Sequence, residues 1–137
     1  MPEAFDAVVS SHNIEHCNDP ANVLTAILHT VKPGGRIFLA FPCEESVHFP
    51  SRRGTLNFFD DPTHLVLPTY ASILRKIEEE DFAIDVAVKR YRPVYHFLRG
   101  ALVEPLSALQ RRVMYGTWAL YGFETIIWAT RSRGGSA

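Results

Sequence analysis

With 137 residues, 47% of them hydrophobic and 21% charged, the chain has the length of one domain and the composition of a globular one, which excludes the disordered and fibrous classes. Fourteen basic against fifteen acidic side chains leave a formal net charge of -1, so no global field is available to collect nucleic acid or an anionic membrane surface. Charges interrupt every apolar stretch before the ~18 residues that a membrane span requires.

The opening MPEAFDAVV carries two acids and lacks the basic, then apolar, profile of an export signal. Cys17 and Cys43 are too few for a disulfide framework and lack CxxC spacing, so a reducing, cytoplasmic setting is expected.

Residues 4–10 form a near-continuous apolar run, the pattern of a strand buried on both faces in a parallel sheet. After the loop SSHNIEHC, Asp19 is a good N-cap and Pro20 a good first helical residue. Val23, Leu24, Ile27, Leu28 and Val31 follow at helical spacing. Lys32 suits the helix dipole, Pro33 stops the helix, and Gly34 and Gly35 turn the chain into a second buried strand over 36–41. Strand, helix and strand make one right-handed βαβ unit.

Residues 42–68 show no sustained period and read as a long loop, the expected place for substrate contacts. Thr69 caps a helix with Tyr70, Ile73, Leu74 and Ile77 on one face. Phe82, Ile84, Val86 and Val88 then alternate with more polar positions as in a half-buried strand. Residues 94–115 keep helical spacing, with Pro105 dividing them into two short helices that form an insertion or lid. The aromatic and β-branched run 117–130 reads as a strand, bulged at Gly122 and paired with 82–91. Residues 1–131 are then one domain, and 132–137 a disordered tail.

The loop after the first strand contains His12-x-x-Glu15-His16, the HxxEH spelling of an inverted zinc-protease motif. That chemistry needs both histidines on one helix face. His12 follows a strand by two residues, and the helix start at Asp19 comes only after His16, so no metal site is expected.

The ordered series FDAVVSSHNIEHCNDPANVLTAILHTVKPGGRIFLAFP, continued by FDDPTHLVLPTYASILRKIEEEDF, resembles the later half of class I methyltransferases that use S-adenosylmethionine. The resemblance covers residues 4–90, and more loosely a last antiparallel strand within 117–130. It implies a partial doubly wound, Rossmann-like α/β sheet: parallel strands plus a carboxy-terminal antiparallel pair.

It implies S-adenosylmethionine as cofactor, with Ser10, Ser11, His12 and Asn13 beneath its methionine and sulfonium, beyond the carboxyl end of the strand. Glu15 and His16 match the family's EH dipeptide, whose expected job is to orient that loop. For an acceptor that must lose a proton, His64 with Asp61 as its orienter is the first candidate base and His48 the second. A plainer role for Asp60, Asp61 and His64 is a turn at Pro62.

The resemblance also implies two features that these residues lack. There is no glycine-rich loop after a first strand, and no acidic residue at the end of a second to hold the ribose. The chain therefore reads as the later half of the fold, with the edge of strand 4–10 open. Expected partners are a small-molecule acceptor and either a second copy or a chain supplying the first half. Nucleic acid is not expected, because no basic, aromatic-interleaved groove is evident. Tyr95, Phe97, Tyr115 and Trp118 are candidates for an apolar lid or for core. Two functions follow: a methyltransferase that is inactive until completed, or a non-catalytic oligomerisation or regulatory module.

Overall fold

The computed structural model describes residues 3–133. Among the described residues, four strands form one sheet in the order β1-β2-β4-β3, with β1 at Phe5–Ser11, β2 at Val31–Pro42, β3 at Phe82–Val88 and β4 at Glu124–Arg131. β1 runs parallel to β2, and β4 is antiparallel to both β2 and β3. This is the partial, mixed Rossmann-like sheet that the sequence predicts. Of the expected tail 132–137, residues 134–137 lie outside the described residues. Among the described residues no helix is long and apolar enough to cross a membrane.

Helices α1 (Pro20–Leu28) and α2 (Tyr70–Glu79) bury one face of the sheet. Asp19 caps α1 by accepting from the Asn22 amide at 3.0 Å, and the Thr69 hydroxyl caps α2 by accepting from Ser72. Leu24 and Leu28 of α1 and Ile73 and Ile77 of α2 close over Ile37, Leu39, Phe41, Ile127 and Ala129. Each buried aliphatic side chain of this kind contributes about 1.5–3 kcal/mol.

The opposite face differs from expectation. β1 was predicted to be buried on both faces, yet Phe5 is 54% and Val9 70% exposed. The reason is topological: β1 is an edge strand that pairs only with β2, and no described element covers its outward side. Val9, Phe38, Trp128 and Val86 stand opposite one another across all four strands and form an apolar row on this open face.

Helix α1 stops at Leu28, short of the predicted Val31 and Lys32. Val31 already pairs with Phe5, and a bulge between Phe5 and Ala7 absorbs the KPGG segment into β2. Lys32 serves an ion pair instead, with Nζ 3.0 Å from Asp6. The long loop 42–68 is locally ordered by 3-10 turns at Glu44–His48 and Phe58–Asp60. The Asp60 carboxylate accepts from the amides of Arg52, Leu56 and Asn57 at 2.9, 3.0 and 2.8 Å.

Two predictions for the last third fail. Residues 94–109 form one helix, α3 (Val94–Leu109), not two. The hydrogen bond that Pro105 cannot make faces solvent, because Pro105 and Ala101 are both exposed, so water can take the free carbonyl. The run 117–130 is not one strand. Thr117–Tyr121 is a short helix, α4, bracketed by Gly116 and Gly122 in left-handed conformations, and Gly122 caps α4 instead of bulging a strand.

α3 and α4 meet through glycine. A Cβ at Gly100 would collide with the Gly116 carbonyl, and one at Gly116 would lie 2.6 Å from the Gly100 nitrogen. Because the obstacles are backbone, Gly100→Ala is expected to lower the urea midpoint with unchanged slope, a loss of about 1–3 kcal/mol.

The two cysteines are free thiols, Cys17 half-exposed and Cys43 buried. Burial, helped by the Glu45 carboxylate, pushes the Cys43 thiol up to about 11. Alkylation of the folded chain at about pH 8 should therefore give a single adduct, at Cys17, with a second appearing only in denaturant. Two adducts on the folded chain would contradict this burial.

Candidate cofactor loop and acceptor cavity

β1 ends in a small polar pair, Ser10 buried and Ser11 exposed, and the chain then turns sharply at His12, whose φ of 48° is left-handed. The His12 amide still donates to the Ala40 carbonyl at 2.9 Å, so the turn is fixed to the end of β2. Asn13 is exposed and opens a 3-10 turn, Ile14–His16, in which Ile14 and Glu15 are buried. The four predicted cofactor-loop residues thus lie together at the carboxyl end of a parallel strand, where ligands of such sheets bind.

The His12 ring is held between two carboxylates. Its Nδ1 is 3.2 Å from Glu15 Oε1 and its Nε2 2.8 Å from Glu124 Oε1. The ring stacks on Phe123 at 9° and tilts over Trp118. Burial alone would lower its pKa, but the Glu124 and Glu15 carboxylates overcome that and hold it up to about 9. At neutral pH His12 is an imidazolium donating from both nitrogens.

Glu124 also borders a cavity of about 680 Å³ between α3, α4 and the start of β4, lined by Tyr91, His96, Met114, Tyr115 and Trp118 among others. Since Glu124 pairs with Pro42 at the end of β2, the cavity opens at the same end of the sheet as the Ser10–Asn13 loop. Its size and aromatic walls suit a small organic molecule, and Glu124 is the acidic side chain on its border. Tyr115 and Trp118, two of the predicted lid aromatics, do line it, while Tyr95 lies exposed on α3.

Arg52 ties this region together. Buried within the long loop, it donates to Glu104 Oε2 and Oε1 at 2.8 and 2.6 Å and to the Ser107 hydroxyl at 2.8 Å. The Tyr121 hydroxyl donates to Glu104 Oε1 at 2.7 Å, so the loop, α3 and α4 share one polar knot.

His64 and Asp61 do lie close, with His64 Nε2 3.9 Å from Asp61 Oδ2. The His64 side chain is only 4% exposed, its Nδ1 is 2.6 Å from the Phe58 carbonyl, and it stacks on Phe58. Asp61 accepts from the Thr63 amide and hydroxyl at 2.8 and 2.6 Å, making the turn at Pro62. His16 faces the same turn, with Nδ1 3.1 Å from the Thr63 carbonyl, while His48 is exposed in the Glu44–His48 turn. The EH dipeptide anchors the loop through its backbone too, as the Glu15 carbonyl accepts from Leu65 at 2.9 Å and from Val66 at 3.3 Å.

Sequence reasoning missed Glu124 and Arg52. The only signal for Glu124 is a lone carboxylate inside the apolar run around β4, a placement whose cost invites a partner.

Comparison with known proteins places these elements. A family model described as a methyltransferase domain matches residues 2–86. A ubiquinone biosynthesis O-methyltransferase of Dechloromonas aromatica is 48% identical over 40 residues, and one of Pseudomonas fluorescens 45%. The match covers 29% of this chain and 17% of either relative.

Among solved structures, an S-adenosylmethionine-dependent methyltransferase from Mesorhizobium loti superposes with a TM-score of 0.63 at 15% identity, covering 96% of this chain and 63% of that one. A Haloferax volcanii protein described as a putative methyltransferase in complex with the Trm112 activator gives 0.58 at 17% identity, covering 96% and 56%. The cyclase SpnF gives 0.52 at 15%, covering 97% and 52%, so likeness at this level speaks for the fold alone. The chain spans between about half and two thirds of these structures and a sixth of the ubiquinone relatives. With the family model matching well over half of its length and its sheet superposing on theirs, the chain belongs to the class I methyltransferase-domain family.

Proposed function

We propose that the chain is the carboxy-terminal portion of an S-adenosylmethionine-dependent methyltransferase that acts on a small-molecule acceptor and is inactive until the first half of the fold joins it. The carrying observation is the cavity beside Glu124, which shares the carboxyl end of the sheet with the Ser10–Asn13 loop.

The residues present fit one end of the cofactor. Ser10, Ser11, His12 and Asn13 would hold its methionine portion, whereas the glycine turn and the ribose-binding acid are not among these 137 residues. When bound, the group supplies an electrophilic methyl for in-line attack. This chain's share is to position the acceptor and keep water away, through the walls of Tyr115, Met114 and Trp118. Glu124 would accept a hydrogen bond from an acceptor hydroxyl or ammonium and fix its direction. For proton removal we favour Glu124 over the expected His64 with Asp61, because Glu124 borders the cavity while the His64 ring is enclosed. The free thiols support the expected cytoplasmic placement.

A second reading, a non-catalytic module that assembles through its sheet, draws on the open β1 edge and the exposed row of Val9, Trp128 and Val86. Amide NMR separates the two. With the isotopically labelled chain joined to a methyltransferase first half, added S-adenosylmethionine should shift Ser11, His12 and Asn13 selectively. Shifts confined to other residues, or none in a complex that has formed, would reject the enzyme reading.

A further inference from the structure

We propose that Glu15, His16 and His64 form a binding site for one divalent transition-metal ion of the zinc class, clamping the loop after β1 to the loop before α2. The three side chains each offer a ligand atom, and these atoms lie within 4.8 Å of one another. The ligand set is not the His12 and His16 pairing of the HxxEH spelling. It recruits a histidine distant in sequence and leaves His12 to a supporting part.

Two independent observations point to a cation. Glu15 is fully buried, yet His12 engages only Oε1, and Oε2 has no hydrogen-bond partner. A buried carboxylate oxygen left bare is costly unless something positive meets it. The second observation is the state of the two rings. His16 Nδ1 meets the Thr63 hydroxyl oxygen, whose own proton goes to Asp61, at 2.9 Å and the Thr63 carbonyl at 3.1 Å, and His64 Nδ1 faces the Phe58 carbonyl at 2.6 Å. An Nδ1–H donating to a carbonyl fixes the tautomer and leaves the lone pair on Nε2, which is how metal-ligating histidines are oriented. Likewise His12, braced by Glu124, holds Glu15 Oε1 and aims its other oxygen.

Two imidazoles and one carboxylate suit zinc or cobalt and leave a position open, whereas magnesium prefers an all-oxygen shell. A water can take that position. Bonds of about 2.0–2.2 Å require the three ligand atoms to draw in by roughly 1 Å, within reach of small side-chain rotations. The backbone is already joined, since Leu65 and Val66 donate to the Glu15 carbonyl.

The test is a Co²⁺ titration of the chelator-treated chain, followed by visible absorption. One equivalent should produce the intense ligand-field bands of a low-coordinate site, and Zn²⁺ should bleach them while excess Mg²⁺ should not. Glu15→Gln and His64→Ala should each weaken Co²⁺ binding at least tenfold, while His29→Ala, on a histidine paired with Glu80, should leave it unchanged. If circular dichroism shows either variant unfolded, His16→Ala, at a more accessible ring, gives the same readout. A stoichiometry other than one, displacement by Mg²⁺, or Co²⁺ binding that survives His16→Ala would overturn the proposal.

Discussion

Replacing Arg52 with alanine lowers the unfolding free energy by about 3–5 kcal/mol, the usual cost of removing one partner of a buried ion pair. The Arg52 side chain is 5% exposed, and its guanidinium meets both oxygens of Glu104 in a fork. Without it, the half-buried carboxylate that the guanidinium holds below the ordinary glutamate range keeps Tyr121 as its remaining protein donor. A drop of this size lowers Tm by about 10 °C or more in a domain of this length.

Arg52→Lys recovers part of the loss, because an ammonium cannot reproduce the fork. The sign of the pH dependence follows from the same pair. Glu104 is depressed in the folded chain, so its contribution is present above the ordinary glutamate pKa and is lost as pH falls through the depressed one. The difference in stability between wild type and Arg52→Ala should therefore shrink toward acid pH. Thermal unfolding at several pH values measures both effects, and a constant difference would contradict the pairing.

The second large effect concerns the sheet. An edge strand with apolar residues facing out is a template for another strand. β1 offers its unpaired backbone beside Val9, and the row through Phe38 and Trp128, whose rings are 4.7 Å apart, continues that surface to β3. Val9→Lys puts a charge on the edge strand, at the β1 end of this surface. Because Val9 is 70% exposed, the isolated chain should keep its stability to within about 0.5 kcal/mol. Association with a methyltransferase first half, followed by sedimentation, should fall at least tenfold. Unimpaired association would place the joining surface elsewhere.

How far the sequence reveals this molecule depends on how far apart in the chain each interaction reaches. The unit from β1 to β2 is legible because its cues are local: an apolar strand, the Asp19 and Pro20 start, and the KPGG turn. The length of α1 is misjudged because Val31, at helical spacing, is claimed by pairing with Phe5. Residues 117–121 are misread because aromatic composition favours a strand, while two left-handed glycines enclose a helical turn.

The same division holds at the site. Ser10 to Asn13 are found because they end a recognisable strand. Glu124 and Arg52 draw their importance from partners 112 and 52 residues away, which no spacing rule connects. The spelling HxxEH is informative in an unexpected way: its Glu15 and His16 do gather ligand atoms, but with His64 and not with His12.

The most direct test of the account is calorimetric titration with S-adenosylmethionine, of the chain alone and of the chain joined to a first half that carries a glycine-rich loop. The chain alone should give no saturable heat, and the joined pair one-to-one binding. Tight, stoichiometric binding by the 137 residues unaided would contradict it.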